Sequence, residues 1–317
     1  MVTFGVDLGG TNIKAGLVDD SGKILAKSSV PTRSVMGAET VVADMGDQVL
    51  ALLRKQGVAP DEVRGVGVGS PGAIDSANGV VNYSNNLKWK DVPLAALLKK
   101  KIDKPIKVSN DANVAALGET MFGVAKGYSD TILVTLGTGV GGGVVIGGKL
   151  FEGNQSKGAE LGHMVVVANG EPCTCGRKGC LEAYASATAL IRETKNAMQR
   201  DTASAMWRFA GSIDKVDGRT AFECAKQGDA AATEVVNQYI FYLSEGLLNF
   251  CNIFRPQAII LGGGVCAQGD YLLNRVRELL EDRNYGFEGT PKVDLLIASL
   301  GNDAGLVGAA SLILAGL

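Results

Sequence analysis

Two short glycine–threonine turns, each set between apolar strands, constrain this chain more than any other feature. Thr3 to Leu8 is rich in β-formers, Gly9-Gly10 makes a tight turn leading to Thr11, and Ile13 to Val18 returns. The pattern recurs where Thr131 to Leu136 enters Gly137-Thr138-Gly139 and Val140 to Ile146 comes back. A hairpin of this kind in each half points to an internal duplication and two related lobes. Around the first hairpin the sequence predicts a strand over Ile24 to Pro31, a helix over Ala38 to Lys55 with Val41, Val42, Met45, Val49, Leu52 and Leu53 on one face, and a strand over Val63 to Val68. A short helix near Leu94 to Lys100 and a strand near Ile106 to Ser109 follow. After the second hairpin, helices are predicted at Leu181 to Gln199, Ala230 to Phe254, Tyr271 to Arg283 and Ala304 to Leu314. Strands are predicted at Ala258 to Leu261 and Val293 to Ala298. This order describes mixed sheets flanked by helices.

Composition narrows the function. The chain has 317 residues, about two domains by length, and its 46% apolar content supports a real core. Lys+Arg of 31 against Asp+Glu of 33 leaves a net charge of -2, so neither a nucleic acid nor a membrane surface is expected as partner. No apolar run reaches the ~18 residues of a membrane span, and the first residues carry no basic-then-apolar leader, so a cytoplasmic protein is expected. Glycine stands out, with 43 residues against 8 prolines. Tyr239, Phe241, Tyr242 and Phe250 fall on one long helical pattern and read as core or a subunit contact. Lys99-Lys100-Lys101 reads as a solvated helix end, and Cys224, Cys251 and Cys266 as small buried hydrophobes.

Four glycine-rich segments follow apolar strands: Gly9-Gly10-Thr11, Gly137-Thr138-Gly139, Gly262-Gly263-Gly264 and Gly301-Asn302-Asp303-Ala304-Gly305. Glycine lets backbone N–H groups face phosphate oxygens unobstructed, and a threonine hydroxyl adds a donor. Neither a Rossmann Gly-x-Gly-x-x-Gly before a helix nor a Walker motif appears, so a nucleotide would have to be gripped by hairpins from two lobes. Asp111, in Asn110-Asp111-Ala112-Asn113 at a strand end, is placed either to cap the following helix or to accept a proton from a hydroxyl. His163, the sole histidine, precedes Cys173, Cys175 and Cys180 in C-x-C-x4-C spacing. Three thiolates and an imidazole make a closed tetrahedral set for Zn²⁺, which is therefore structural.

The motif Asp7-Leu8-Gly9-Gly10-Thr11, the middle Leu136-Gly137-Thr138-Gly139-Val140-Gly141 and the late triple glycine resemble the two-lobed actin-like ATPase (ribonuclease H-like) fold of sugar kinases. More narrowly, from Asp7 to Gly308, the chain resembles the ROK family, and within it the bacterial kinases that phosphorylate glucose; the cysteine spacing matches the family's metal motif. The resemblance implies an N-terminal lobe over 1–112 completed by a helix over about 303–317, and a C-terminal lobe over 113–302 carrying the zinc loop, with the active site in the interdomain cleft. It implies ATP as phosphoryl donor, a hexose as substrate, catalytic Mg²⁺, Asp111 as base, and a homodimer or homotetramer. Sugar contacts fall on Gly72, Asn85, Asn110, Asp111, Glu160, His163 and Glu182. ATP contacts fall on Asp7, Gly9, Gly10, Thr11, Asn12, Lys14, Gly137, Thr138, Gly139, Gly263 and Asn302. Other members act on N-acetylmannosamine, fructose or N-acetylglucosamine, and some are sugar-responsive regulators carrying an added N-terminal DNA-binding domain; with the first hairpin starting at residue 3 and a net charge of -2, a regulator is not expected here.

Overall fold

The chain opens with an antiparallel meander of β1 (Val2–Leu8), β2 (Asn12–Asp19) and β3 (Ile24–Pro31). A computed structural model describes residues 1–316, so Leu317, the end of the expected C-terminal helix, lies outside the described residues. Helix α1 (Ala38–Gln56) buries the predicted stripe, and Gly57 in the left-handed region ends it. Strand β4 (Val63–Ser70) then adds to β1 in parallel, and after β5 (Ala73–Asp75), β6 (Val80–Ser84), β7 (Trp89–Val92) and α2 (Leu94–Lys99), β8 (Ile106–Asn110) adds to β4 in parallel. Helix α3 (Asp111–Met121) follows directly.

The strand order of this sheet is β3-β2-β1-β4-β8. A second five-stranded sheet repeats the scheme from β9 (Thr131–Leu136), β10 (Val140–Ile146), β11 (Lys149–Leu150), β12 (Ala258–Gly262) and β13 (Asp294–Ile297), in the order β11-β10-β9-β12-β13. The duplicated hairpin is thus the visible part of a duplicated sheet. Its helices are α4 (Glu182–Ala185), α5 (Ala187–Arg200), α6 (Ala205–Ala210), α7 (Thr220–Lys226), α8 (Ala230–Phe254) and α9 (Asp270–Arg283), whereas the closing helix α10 (Ala304–Leu314) returns to the first sheet. Two compact units emerge. One holds Met1–Leu133, Gly143–Ala159 and Ala298–Leu317, and the other holds Val134–Gly142 and Glu160–Ile297. Among the described residues no helix is long and apolar enough to cross a membrane.

The structure departs from the sequence expectation in three places. A small sheet β5-β6-β7 stands where no strands were predicted, because its strands have only 3, 5 and 4 residues and no sustained alternation. The single helix expected over Leu181 to Gln199 is two: Ser186 takes extended backbone between them, and its hydroxyl accepts from Ala189 N at 3.0 Å to cap α5. Helices α6 and α7 are too short for a periodic signal.

Many glycines serve helix–sheet contact rather than turns. A Cβ on Gly5 or Gly67 would lie 1.9 Å or 1.7 Å from a carbonyl oxygen of α10, at Leu306 and Ala309. On another face of α10, a Cβ on Gly308 would come 1.8 Å from the Val114 carbonyl of α3. The closing helix can therefore lie against β1, β4 and α3 only because these positions carry no side chain. Tyr239 and Phe250 are core, whereas Phe241 is exposed; Cys224, Cys251 and Cys266 are buried.

Candidate functional site

In the first unit, the carboxyl ends of three parallel neighbours, β1, β4 and β8, come level: Asp7 pairs with Gly69, and Ser70 with Asn110. Such strand ends are where open α/β sheets receive ligands. Around Asp7 the residues expected to contact ATP converge. Lys14, its cross-strand partner, places Nζ 3.4 Å from Asp7 Oδ2 and donates to the Asn302 carbonyl at 3.3 Å. The first turn of α10 lies against Asp7, since a Cβ on Gly305 would come 2.9 Å from its carboxyl carbon. The Gly9–Asn12 turn closes with Gly9 N donating to Asn12 O at 2.9 Å and leaves Gly10 and Thr11 exposed.

One residue here has no sequence signal. Thr32, just past β3, donates its N–H to Thr11 O and its hydroxyl to Gly9 O, both at 2.7 Å. It clamps the exposed turn from outside, and nothing in Val30-Pro31-Thr32-Arg33 indicates which distant carbonyls it meets.

The turn between β8 and α3 resolves the ambiguity about Asp111. Asn110 is the helix N-cap: its Oδ1 accepts from Ala112 N at 2.9 Å, and its Nδ2 donates to Gly72 O at 3.0 Å. Asp111 is the first helical residue and accepts from the same Ala112 N–H at 2.9 Å, so its carboxylate is not needed as the cap. Solvent reaches Asp111, yet surrounding protein strips much of the hydration from its carboxyl. This desolvation raises its pKa above the ordinary 3.8; the Ala112 N–H opposes the rise, and the negative charge of Asp7 adds to it. Gly72 has φ +115, and a Cβ there would lie 2.1 Å from Tyr83 O, so only glycine brings this loop against β6. Asn85, exposed at the end of β6, accepts from Lys88 Nζ at 3.1 Å, and neighbouring Asn86 packs beside Gly10.

In the second unit a cluster of four ligands is fully assembled. One donor atom from each of His163, Cys173, Cys175 and Cys180 lies within 4.8 Å of every other. Cys173 Sγ is 3.6 Å from His163 Nδ1, and Cys175 Sγ is 3.6 Å from Cys180 Sγ. These thiols are unbridged. Their separation fits thiolates on a tetrahedral ion, where bonds of about 2.3 Å put sulfurs roughly 3.8 Å apart. The local electrostatics fit as well. Burial and the neighbouring thiols push Cys180 up to about 12 without a cation, while Cys175 is lowered, chiefly by the Arg177 N–H. Three adjacent thiolates call for a positive counter-charge, which a divalent ion provides. Gly179, at φ +80, lets the loop pass close to Val167, whose oxygen would lie 1.7 Å from a Cβ on this residue.

Glu182 joins this cluster to the second glycine–threonine turn. Its Oε1 accepts from Thr174 Oγ1 at 2.9 Å and lies 3.6 Å from Cys173 Sγ; its Oε2 accepts from Val140 N at 3.1 Å. The turn is also held from α5, where Ala187 N donates to Gly137 O at 2.8 Å and Thr188 Oγ1 to Thr138 O at 2.7 Å. Gly263, at φ +91, comes so close to Leu136 that a Cβ would sit 2.4 Å from its oxygen, which brings the β12 loop to the same turn. Glu160 is exposed and begins the tight turn Leu161–His163, which packs on Val140. The expected residues therefore gather in two sets, one within each unit.

Comparison with known proteins gives the same orientation. The model of the family described as "ROK family" matches residues 3–315. The glucokinase of Thermotoga maritima is 41% identical over 312 residues, covering 98% of this chain and 96% of the relative, and that of Streptomyces coelicolor is 37% identical over 314 residues, covering 98% and 97%. Among solved structures, the ROK family glucokinase from Streptomyces griseus in complex with glucose and AMPPNP superposes with a TM-score of 0.79 at 38% identity, covering 98% of this chain and 99% of that one.

Proposed function

The chain belongs to the ROK family and has its actin-like ATPase fold, and we propose that it transfers the γ-phosphoryl group of ATP to glucose, giving glucose 6-phosphate. The observation that carries this reading is the β8–α3 turn. There a separate residue caps the helix, and a carboxylate with a raised proton affinity is left free at the strand ends. The similarity to glucokinases, one of them solved with glucose and an ATP analogue, supports the choice of donor and sugar.

In this reading the two compact units are the lobes. Asp111 takes the proton from the attacking sugar hydroxyl as its oxygen engages phosphorus. Asn110 and Gly72 set the angle of that carboxylate through their mutual hydrogen bond. Glu160 and Glu182 accept from sugar hydroxyls, which suits recognition of a particular hydroxyl pattern, and Asn85 supplies a further polar contact. His163 presents Nδ1 to the cysteine cluster, leaving Nε2 for a sugar oxygen. The N–H groups of Gly9 to Asn12 and of Gly137 to Gly139 face phosphate oxygens, with Lys14 adding a charge and Gly263 and Asn302 flanking the nucleoside. Mg²⁺, when bound, neutralises charge on the transferring phosphates, and Asp7 is the carboxylate we assign to its coordination shell. Zn²⁺ in the Cys₃His set is structural, since all four positions are protein ligands. We place the enzyme in the cytoplasm, where ATP is available, and as a homodimer or homotetramer; Phe241, exposed on α8, supports a subunit contact.

The sugar assignment is tested by comparing kcat/KM for glucose, N-acetylmannosamine, fructose and N-acetylglucosamine with ATP and Mg²⁺. Glucose is expected to lead by at least about tenfold, a floor well below the roughly 10⁴ that a site built around a substrate hydroxyl can reach. A higher value for any of the others would replace glucose while leaving the kinase chemistry in place.

A further inference from the structure

One carboxylate outside the set described above grips the base's turn from both sides. Glu152, two residues past β11, is partly buried and belongs to the same compact unit as Asp111. Its Oε1 accepts from Ser109 Oγ at 2.5 Å, from Ser76 Oγ at 2.8 Å and from Asn113 Nδ2 at 3.2 Å; its Oε2 lies 3.4 Å from Ser156 Oγ. Ser109 is in β8 and Asn113 in the first turn of α3, so these two donors stand two residues before and two after Asp111. Ser76 follows the small hairpin strand β5, and its N–H reaches Ser156 Oγ at 3.3 Å, closing the network.

An ionised carboxylate offers acceptors only, so every neighbour must turn a donor toward it. That requirement fixes the Ser109 hydroxyl rotor and the Asn113 amide together, and hydrogen bonds to a charged acceptor are the stronger kind. Asn110 holds the turn on its other side by accepting from Ala112 N and donating to Gly72 O. The segment between Ser109 and Asn113 is thereby pinned at residues 109, 110 and 113, with Asp111 inside the span.

Resting on the assignment of Asp111 as base, we propose that Glu152 is a positioning residue for the reaction: it holds the β8–α3 turn so that the Asp111 carboxylate meets the sugar hydroxyl. Small losses of alignment at a reacting group cost large factors in rate with little change in binding. Glu152→Ala is therefore expected to lower kcat by about 10- to 100-fold while KM for ATP and the affinity for glucose stay within about twofold. Glu152→Gln should restore most of that loss, because the amide oxygen can still accept from Ser76, Ser109 and Asn113 while the NH₂ donates to Ser156 Oγ. The double variant Ser109→Ala/Asn113→Ala, which leaves Glu152 in place, should reproduce the fall in kcat even if Glu152→Ala does not fold.

The assays are run on folded, active-site-titrated protein beside Asp111→Asn. Full kcat in Glu152→Ala or in the double variant, with Asp111→Asn inactive, overturns the positioning role alone. Equal losses in kcat and binding, or a Glu152→Gln enzyme as impaired as the alanine variant, also overturn it. An active Asp111→Asn enzyme instead removes the base assignment on which the role rests.

Discussion

Asp111→Asn should lower kcat by about 10²- to 10⁴-fold, the usual contribution of a positioned proton acceptor, while glucose binding measured by calorimetry changes less than about threefold. The asparagine keeps the shape and the hydrogen bond from Ala112 N, and Asn110 continues to cap α3. The variant should also hold or gain resistance to heat. Asp111 has its pKa raised in the folded chain, first by desolvation and then by the charge of Asp7. A carboxyl whose folded pKa exceeds its unfolded one costs stability wherever it is ionised in both states, and regains it as pH falls through the folded pKa. At neutral pH the asparagine removes that cost. In the parent enzyme the same shift moves the acid limb of the kcat profile above the ordinary aspartate range, because protonation disables the base. Near-normal turnover in Asp111→Asn would leave the turn without its proton acceptor.

The second large effect concerns the cysteine cluster. Cys175→Ser, or prolonged chelation of the parent, should release about one Zn²⁺ per chain by elemental analysis and raise KM for glucose at least about tenfold. The route runs through Glu182. Thr174 and Cys173 of the metal loop meet its Oε1, while Val140, at the edge of the second glycine–threonine turn, meets its Oε2. At its tip the loop is polar and small: Cys173, Thr174, Cys175 and Gly176 include no large apolar side chain, and the backbone there is closed by Cys173 N donating to Arg177 O and Gly176 N to Cys173 O. Binding free energy of a structural metal is folding free energy for such a loop. Metal-free protein with unchanged sugar affinity would detach the cluster from sugar recognition.

Much of this was legible from residue order, because the signals are local. The turn at Gly9–Thr11, the stripe of α1, the N-cap pattern at Asn110-Asp111 and the cysteine spacing each carry their meaning within a few residues. What stayed hidden depends on partners far apart in sequence. Thr32 acquires a role only when β3 returns its end to the β1–β2 turn. Glu152 becomes a hub only when the segment after β11 reaches residues 76, 109 and 113. The glycine excess was similarly half-read: Gly72 and Gly263 serve loops at the strand ends, but Gly5, Gly67 and Gly308 are there so that α10 can approach the backbones of β1, β4 and α3, which no local pattern encodes. The break at Ser186 was missed because the apolar periodicity runs on through it, while the capping hydroxyl alone marks the boundary.

The central claim, transfer from ATP to glucose, is tested most directly by incubating the protein with glucose, Mg²⁺ and ATP labelled at the γ-phosphorus, then following the label. The label should appear in glucose 6-phosphate in equal amount to the ADP formed, and should stay in ATP when Asp111→Asn replaces the parent. Label released as inorganic phosphate, or remaining in ATP with the parent enzyme, would contradict it.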